Sequence, residues 1–213
     1  MNDVQLQKTL RASQYAEQVL SRHAALLQQD YAVDHFQHAL STEQIKQSVT
    51  DTLTNISDEE QWMSTLRTLR ARLMFRWIWQ DANQLTNVIT LTRELSDFAD
   101  AAICAAKDFA RIPLVAKYGQ PIGYNGKVQD LIVIAMGKLG AQELNLSSDI
   151  DLIFAFDEQG ETDGRKCIDV QQFCILWGQK LIYLLDHITS DGFVFRVDMR
   201  LRPWGDGSPL AIS

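Results

Sequence analysis

Cysteine is scarce. The 213 residues hold three, Cys104, Cys167 and Cys174, none in a C-x-x-C spacing or beside histidine at ligand intervals. Neither a disulfide framework nor a zinc site follows from such a set, and the thiols read as buried or incidental. Positive charge is also in deficit: 20 Lys and Arg face 27 Asp and Glu, for a net charge of -7 and a pI near 5.0. That balance opposes a sequence-blind nucleic-acid coat, which needs a basic surface, while leaving room for a small basic pocket. Apolar runs long enough to span a bilayer are missing, and "MNDVQLQKTLRASQYAEQVL" at the start lacks the apolar core of a signal peptide. Internal repeats and low-complexity tracts are missing too. The expectation is a soluble, cytoplasmic protein with no nucleic-acid and no membrane partner.

What is present is a hydrophobic content of 46%, enough for a substantial core. Up to about Lys117 the chain is rich in Leu, Ala, Gln, Glu and Arg, and Pro113 is its only proline before Gln120. Ser57 with Glu60 reads as a capping box, followed by Trp62, Leu66, Leu69, Leu73 and Trp77 at helical spacing. Ser41 with Gln44 marks an earlier helix start, and residues 85–117 read as one long helix that Pro113 can kink. "YGQPIGYNGK" then forms a turn-rich joint. A boundary near residue 120 follows, separating a helical region (1–120) from a second region (121–213). The second region reads as a strand (131–136), a short glycine-opened helix (about 138–144), a strand (149–156), a loop (157–165), a helix (169–187) and a strand (193–201). The fold class expected is α+β, with the helical region leading into a small mixed sheet.

Asp149 and Asp151 stand two apart at the head of an apolar run, so in a strand both project to one face, with Ile153 and Ala155 behind them and Ile150, Leu152, Phe154 and Phe156 opposite. In "GFVFRVDMRLRP" the alternation places Arg196, Asp198, Arg200 and Arg202 on one face and Phe195, Val197, Met199 and Leu201 on the other. Adjacent carboxylates repel unless a cation or proton sits between them, and hard oxygen ligands favour Mg²⁺ or Mn²⁺. Three aspartates with arginines nearby suit phosphoryl or nucleotidyl transfer, since a metal offsets developing charge and arginine grips phosphate oxygens. Gly137 and Gly140 follow the first strand, where glycine lets the backbone approach an anion.

These motifs carry a resemblance. "MGKLGAQELNLSSDIDLIFAF" followed by "DGFVFRVDMRLRPWGDGSPLA" resembles the glutamine synthetase adenylyltransferase/adenylyl-removing family, part of the DNA polymerase β-like nucleotidyltransferase superfamily. The likeness is strong over about 118–213 and less distinctive before. It implies a polymerase β-type core after the helical region, in a chain that looks like an N-terminal fragment cut just past the third Asp strand. Members carry two such halves. "ELNLSSDIDLIFAF" and "FRVDMRLRPWG" look like the N-terminal, removing half, whereas the other half more often reads "ELGxxSDLDLIF" and "EVDARLRPSG". The implied reaction is adenylyl removal by phosphorolysis: phosphate attacks the adenylyl-tyrosine diester, yielding ADP and active glutamine synthetase. AMP transfer from ATP and a catalytically silent docking domain are the alternatives.

The same resemblance implies Asp149, Asp151 and Asp198 as a metal-binding and catalytic triad, with Gly137 and Ser148 as the glycine turn and the serine before the Asp pair. Lys138 stands where the superfamily commonly has Ser, so its contact with phosphate or solvent stays open. Arg200 and Arg202 match the family's "RLRP", which implies that one of the two pairs with phosphate or a carboxylate. Mg²⁺ or Mn²⁺, adenine nucleotides, phosphate, glutamine synthetase and the PII signal protein are the implied cofactors and partners.

The remaining features read as structural. Trp62, Trp77 and Trp79 suggest packing, and Arg67, Arg70, Arg72 and Arg76 suggest a solvated helix face. His23, His35, His38 and His187 share no spacing with the aspartates, Glu143 with Asn145 marks a helix end and turn, and Trp204 packs under a loop.

Overall fold

Ser41 accepts a hydrogen bond from Gln44 N at 3.2 Å while Gln44 Oε1 accepts from Ser41 N at 2.8 Å, closing the expected capping box. In this computed structural model, which describes residues 3–32, 36–201, 205 and 207–213, that box opens α3 (Thr42–Leu53). The chain divides into two compact units, Met1–Phe98 with Glu143–Leu146, and Ala99–Gln142 with Ser147–Ser213. Both helices and mixed strands are present, so the fold class is α+β.

The first unit contains α1 (Asp3–Ala12), α2 (Gln14–Ala32), α3, α4 (Glu59–Ala82) and the start of α5 (Val88–Tyr118). The cap of α4 is Asp58, which accepts from Gln61 N at 2.8 Å, rather than Ser57. Aspartate caps as well as serine does, and this register brings Glu59 and Glu60 into the first turn, at the positive end of the helix dipole. Trp62, Leu66, Leu69, Leu73 and Trp77 are buried as their spacing demands. Ala16, Val19, Leu27, Phe36, Phe75 and Trp79 form one core cluster, in which Tyr31 meets Trp79 edge-on at 5.6 Å.

Arg67, Arg70, Arg72 and Arg76 do not form a solvated face. Arg67 and Arg76 are buried, Arg70 donates to Tyr15 Oη at 3.0 Å, and Arg72 pairs with Asp30 at 2.5 Å. α4 packs against α1, α2 and α3, and its buried arginines are satisfied by protein: Arg67 donates to Met63 O one turn back in α4, and Arg76 to Glu94 of α5.

In the second unit, β1 (Pro121–Gly123) pairs antiparallel with β4 (Gly160–Thr162), joining two stretches whose turn-rich composition hides a ribbon. The main sheet has β2 (Ile132–Met136) antiparallel to β3 (Ile150–Ala155), with β5 (Val197–Asp198) and β6 (Ala211–Ile212) both parallel to β3. α6 (Gly137–Gly140) is a single turn between β2 and β3, and α7 (Val170–Asp186) covers one sheet face. That packing is close: a Cβ on Gly178 would stand 2.5 Å from the Phe154 ring. Trp177 is buried and donates to Lys107 O at 2.7 Å, tying α7 to α5. α5 itself continues through Pro113 to Tyr118.

The last expected strand is shorter than its alternation suggests. Val194 N and Phe195 N both donate to Leu185 O at the end of α7, and Arg200 N turns back to Asp198 Oδ1 at 2.9 Å. The first contact replaces ladder bonds, and the second is an Asx-type turn that ends the strand. Leu201, expected on an apolar face, is 48% exposed. Among the described residues no helix is long and apolar enough to cross a membrane.

Candidate functional site

Along β3 the alternation is strict: Ile150, Leu152 and Phe154 are buried, while Asp151, Ile153 and Ala155 lie on the other face, with Asp149 just before the strand. Parallel pairing of β3 with β5 makes Asp151 and Asp198 register partners. Residues paired across a ladder share a face, so the three carboxylates lie on one side of the sheet. Antiparallel pairing brings Met136, Ile134 and Ile132 of β2 opposite Asp151, Ile153 and Ala155, and all three β2 side chains are exposed. The acidic positions thus stand at one end of an open apolar surface.

Gly137 follows β2 with φ +54°, a conformation glycine adopts freely. A Cβ there would lie 2.3 Å from Asp151 Oδ2, so the missing side chain is what makes room for that carboxylate. Lys138 Nζ donates to Ser148 Oγ at 3.3 Å, bringing together two of the expected binding residues. With α6 only one turn long, its helix dipole is small.

Arginines hold two of the three carboxylates. Arg196 Nε donates to Asp149 Oδ1 at 2.5 Å and its Nη2 to Ser147 O at 3.0 Å. Arg200 grips Asp198 through Nε, at 3.0 Å from Oδ1 and 2.8 Å from Oδ2, and through Nη2 at 2.5 Å from Oδ2. These hydrogen bonds, with that of Arg200 N, hold the Asp198 carboxyl below the usual carboxylate range. The Arg200 guanidinium is raised in turn, first by Asp198 and less by Asp151 and Asp149, so it feels all three acids. Asp151 has no hydrogen-bond or ion-pair partner among the described residues.

Of the residues expected from sequence, Asp149, Asp151 and Asp198 share a face, Gly137 abuts Asp151, Lys138 meets Ser148, and Arg200 meets a carboxylate. Arg202, like His35 and Trp204, lies outside the described residues. Arg196, which the alternation placed on the polar face with Asp198 but to which no site role was given, is the arginine that holds Asp149.

Among the described residues no three Asp, Glu, His or Cys side chains are gathered closely enough to hold a metal ion. The donors still suit a hard divalent cation in kind, being carboxylates on one face, with the space beside Asp151 kept open by Gly137.

Residues 4–213 match the model of a family described as glutamate-ammonia ligase adenylyltransferase. The chain is 78% identical over its whole length to a bifunctional glutamine synthetase adenylyltransferase/adenylyl-removing enzyme from Acinetobacter baylyi, of which it covers 23%. Proteins of the same description from Pseudomonas syringae pv. tomato (41% identical, 95% of this chain, 21% of theirs) and Shewanella loihica (48%, 76% and 17%) are also similar. The chain thus spans about a quarter or less of the length of these relatives.

Proposed function

The chain belongs to the glutamate-ammonia ligase adenylyltransferase family, and on that premise we propose that it carries the adenylyl-removing site. It acts on adenylylated glutamine synthetase, in the cytoplasm, within a longer polypeptide that also answers to the PII signal protein. The domain that does so is the polymerase β-type core over 121–213, preceded by a helical region over 1–120. The observation that carries the reading is the register that pairs Asp151 with Asp198 on the face that Asp149 shares. The motifs "ELNLSSDIDLIFAF" and "FRVDMRLRPWG" favour removal over the transfer named in the same relatives.

The reaction is a displacement at phosphorus. An oxygen of hydrogen phosphate bonds to the adenylyl phosphorus, the bond from phosphorus to the tyrosine oxygen breaks, and the proton of hydrogen phosphate ends on the phenol. ADP and free tyrosine result. Asp149, Asp151 and Asp198 would hold Mg²⁺ or Mn²⁺, which supplies positive charge to the phosphoryl oxygens when bound. Lys138 and Ser148, joined at 3.3 Å, supply a cation and a hydroxyl beside the Asp pair. Arg200, and Arg202 beyond it, gain a phosphate oxygen once Arg200 leaves Asp198.

Incubation of the chain with adenylylated glutamine synthetase, phosphate and Mg²⁺ tests this. ADP should form, and Asp151→Asn should lower its rate by at least ~100-fold, as expected when a group that stabilises the transition state is lost. AMP incorporation from ATP without ADP release from the adenylylated protein would reverse the direction. An unchanged rate in Asp149→Asn and Asp151→Asn would leave a docking domain.

A further inference from the structure

A carboxylate that ligates a cation works best with its rotamer fixed and one oxygen left over, which is why ligating carboxylates are themselves hydrogen-bonded from behind. The two arginines of the site treat their carboxylates differently in this respect. Arg200 engages both oxygens of Asp198. Arg196 engages Oδ1 of Asp149, and among the described residues no hydrogen bond reaches Oδ2. Arg196 also does more than pair. Its Nη2 donates to Ser147 O at 3.0 Å, and its own carbonyl accepts from Ile150 N at 2.9 Å. One residue thereby brackets the segment 147–150, which carries Asp149 into β3. With Arg196 57% and Asp149 47% exposed, the ion pair by itself contributes little to stability. What three contacts from one residue fix is orientation.

We propose that Arg196 is a positioning residue of this site: it holds Asp149 by one oxygen and anchors the backbone on either side, presenting the second oxygen to a divalent cation. Arg200, which takes both oxygens of Asp198, competes with that cation instead. The proposal rests on the metal-dependent reading above and adds a residue and an opposing pair of roles to it. Loss of positive charge alone would tighten cation binding in both arginine variants, since either guanidinium repels the ion. Positioning predicts weaker binding for Arg196→Ala and no weakening for Arg200→Ala.

The experiment is a Mn²⁺ titration of the full 213-residue chain, reading free Mn²⁺ by electron paramagnetic resonance, with circular dichroism to verify folding. Arg196→Ala should weaken Mn²⁺ binding about 10-fold, the scale of losing a partner behind a ligand. Arg200→Ala should bind Mn²⁺ as tightly as the parent or more tightly. Arg196→Ala binding unchanged or tighter, or both variants weakened alike, overturns the proposal. Should Arg196→Ala not fold, Arg196→Lys decides: it keeps the charge but lacks the fork that reaches Ser147 O, so weaker binding supports positioning and equal or tighter binding refutes it. Failure of the parent chain to bind Mn²⁺ would sink the metal-dependent reading and this inference together. Binding by the parent with Arg196→Ala unaffected sinks the inference alone.

Discussion

Glu94→Gln tests whether the first unit is held by a buried charge network. Glu94 and Arg76 have side chains 3% exposed each, and Arg76 Nη1 lies 2.6 Å from Glu94 Oε2. The same oxygen accepts from Trp77 Nε1 at 2.8 Å, Oε1 accepts from Leu40 N at 3.0 Å, and Arg76 Nη2 donates to His38 O. Glutamine keeps the shape and removes the charge, leaving a guanidinium in the core without an anion. Its amide also cannot satisfy all three donors, because whichever way it turns an NH₂ faces either Leu40 N or the Arg76 and Trp77 pair. Breaking one side of a buried pair costs about 3–5 kcal/mol, a large share of the roughly 5–15 kcal/mol that holds a domain together. With a urea slope near 2 kcal/mol per M, the midpoint should fall by about 2 M. Urea titration followed by far-ultraviolet circular dichroism measures it. A shift worth less than about 1 kcal/mol would mean that Arg76 and Glu94 are hydrated or unpaired in solution, and would refute the reasoning.

Gly137→Ala should cost about 1–2 kcal/mol of stability through its left-handed φ, and should weaken Mn²⁺ binding on the order of 10-fold by pushing Asp151 aside; unchanged binding would show that Asp151 does not need that space. Asp198 is held low by Arg200, so the stability of that contact is present above the usual carboxylate range and disappears as pH falls through the lowered folded value. Arg200→Ala should therefore raise the Asp198 midpoint in a carboxyl-carbon NMR titration, and an Asp198 already titrating normally in the parent would contradict the contact. Cys104 and Cys167 are exposed whereas Cys174 is buried with its thiol pushed up to about 12. A thiol reagent at pH 8 should modify two cysteines in the native protein and the third only on unfolding; three fast reactions would place Cys174 at the surface.

Much of this arrangement was legible in residue order. The box at Ser41 and Gln44, the spacing from Trp62 to Trp77 and the alternation from Ile150 to Phe156 each depend on contacts within a few residues, and each stands in the structure as the sequence implies. The cap of α4 moved by one residue because Ser57 and Asp58 are both good caps and local chemistry does not choose between them. The ribbon of β1 and β4 was hidden because both strands are three residues long, too short for a side-chain period to show, and pair across a long stretch of chain.

The sequence alone determined that two aspartates share a strand face, since a side-chain period of two needs no partner. Tertiary structure decided the rest of the site. That Asp198 sits beside Asp151 follows from parallel pairing of strands far apart in the chain, and that arginines hold Asp149 and Asp198 follows from how the strand after α7 turns. The same holds for the arginines of α4: charge at helical spacing reads as a wet face until neighbouring elements remove the water, as Tyr15 and Asp30 of α2 and Glu94 of α5 do here.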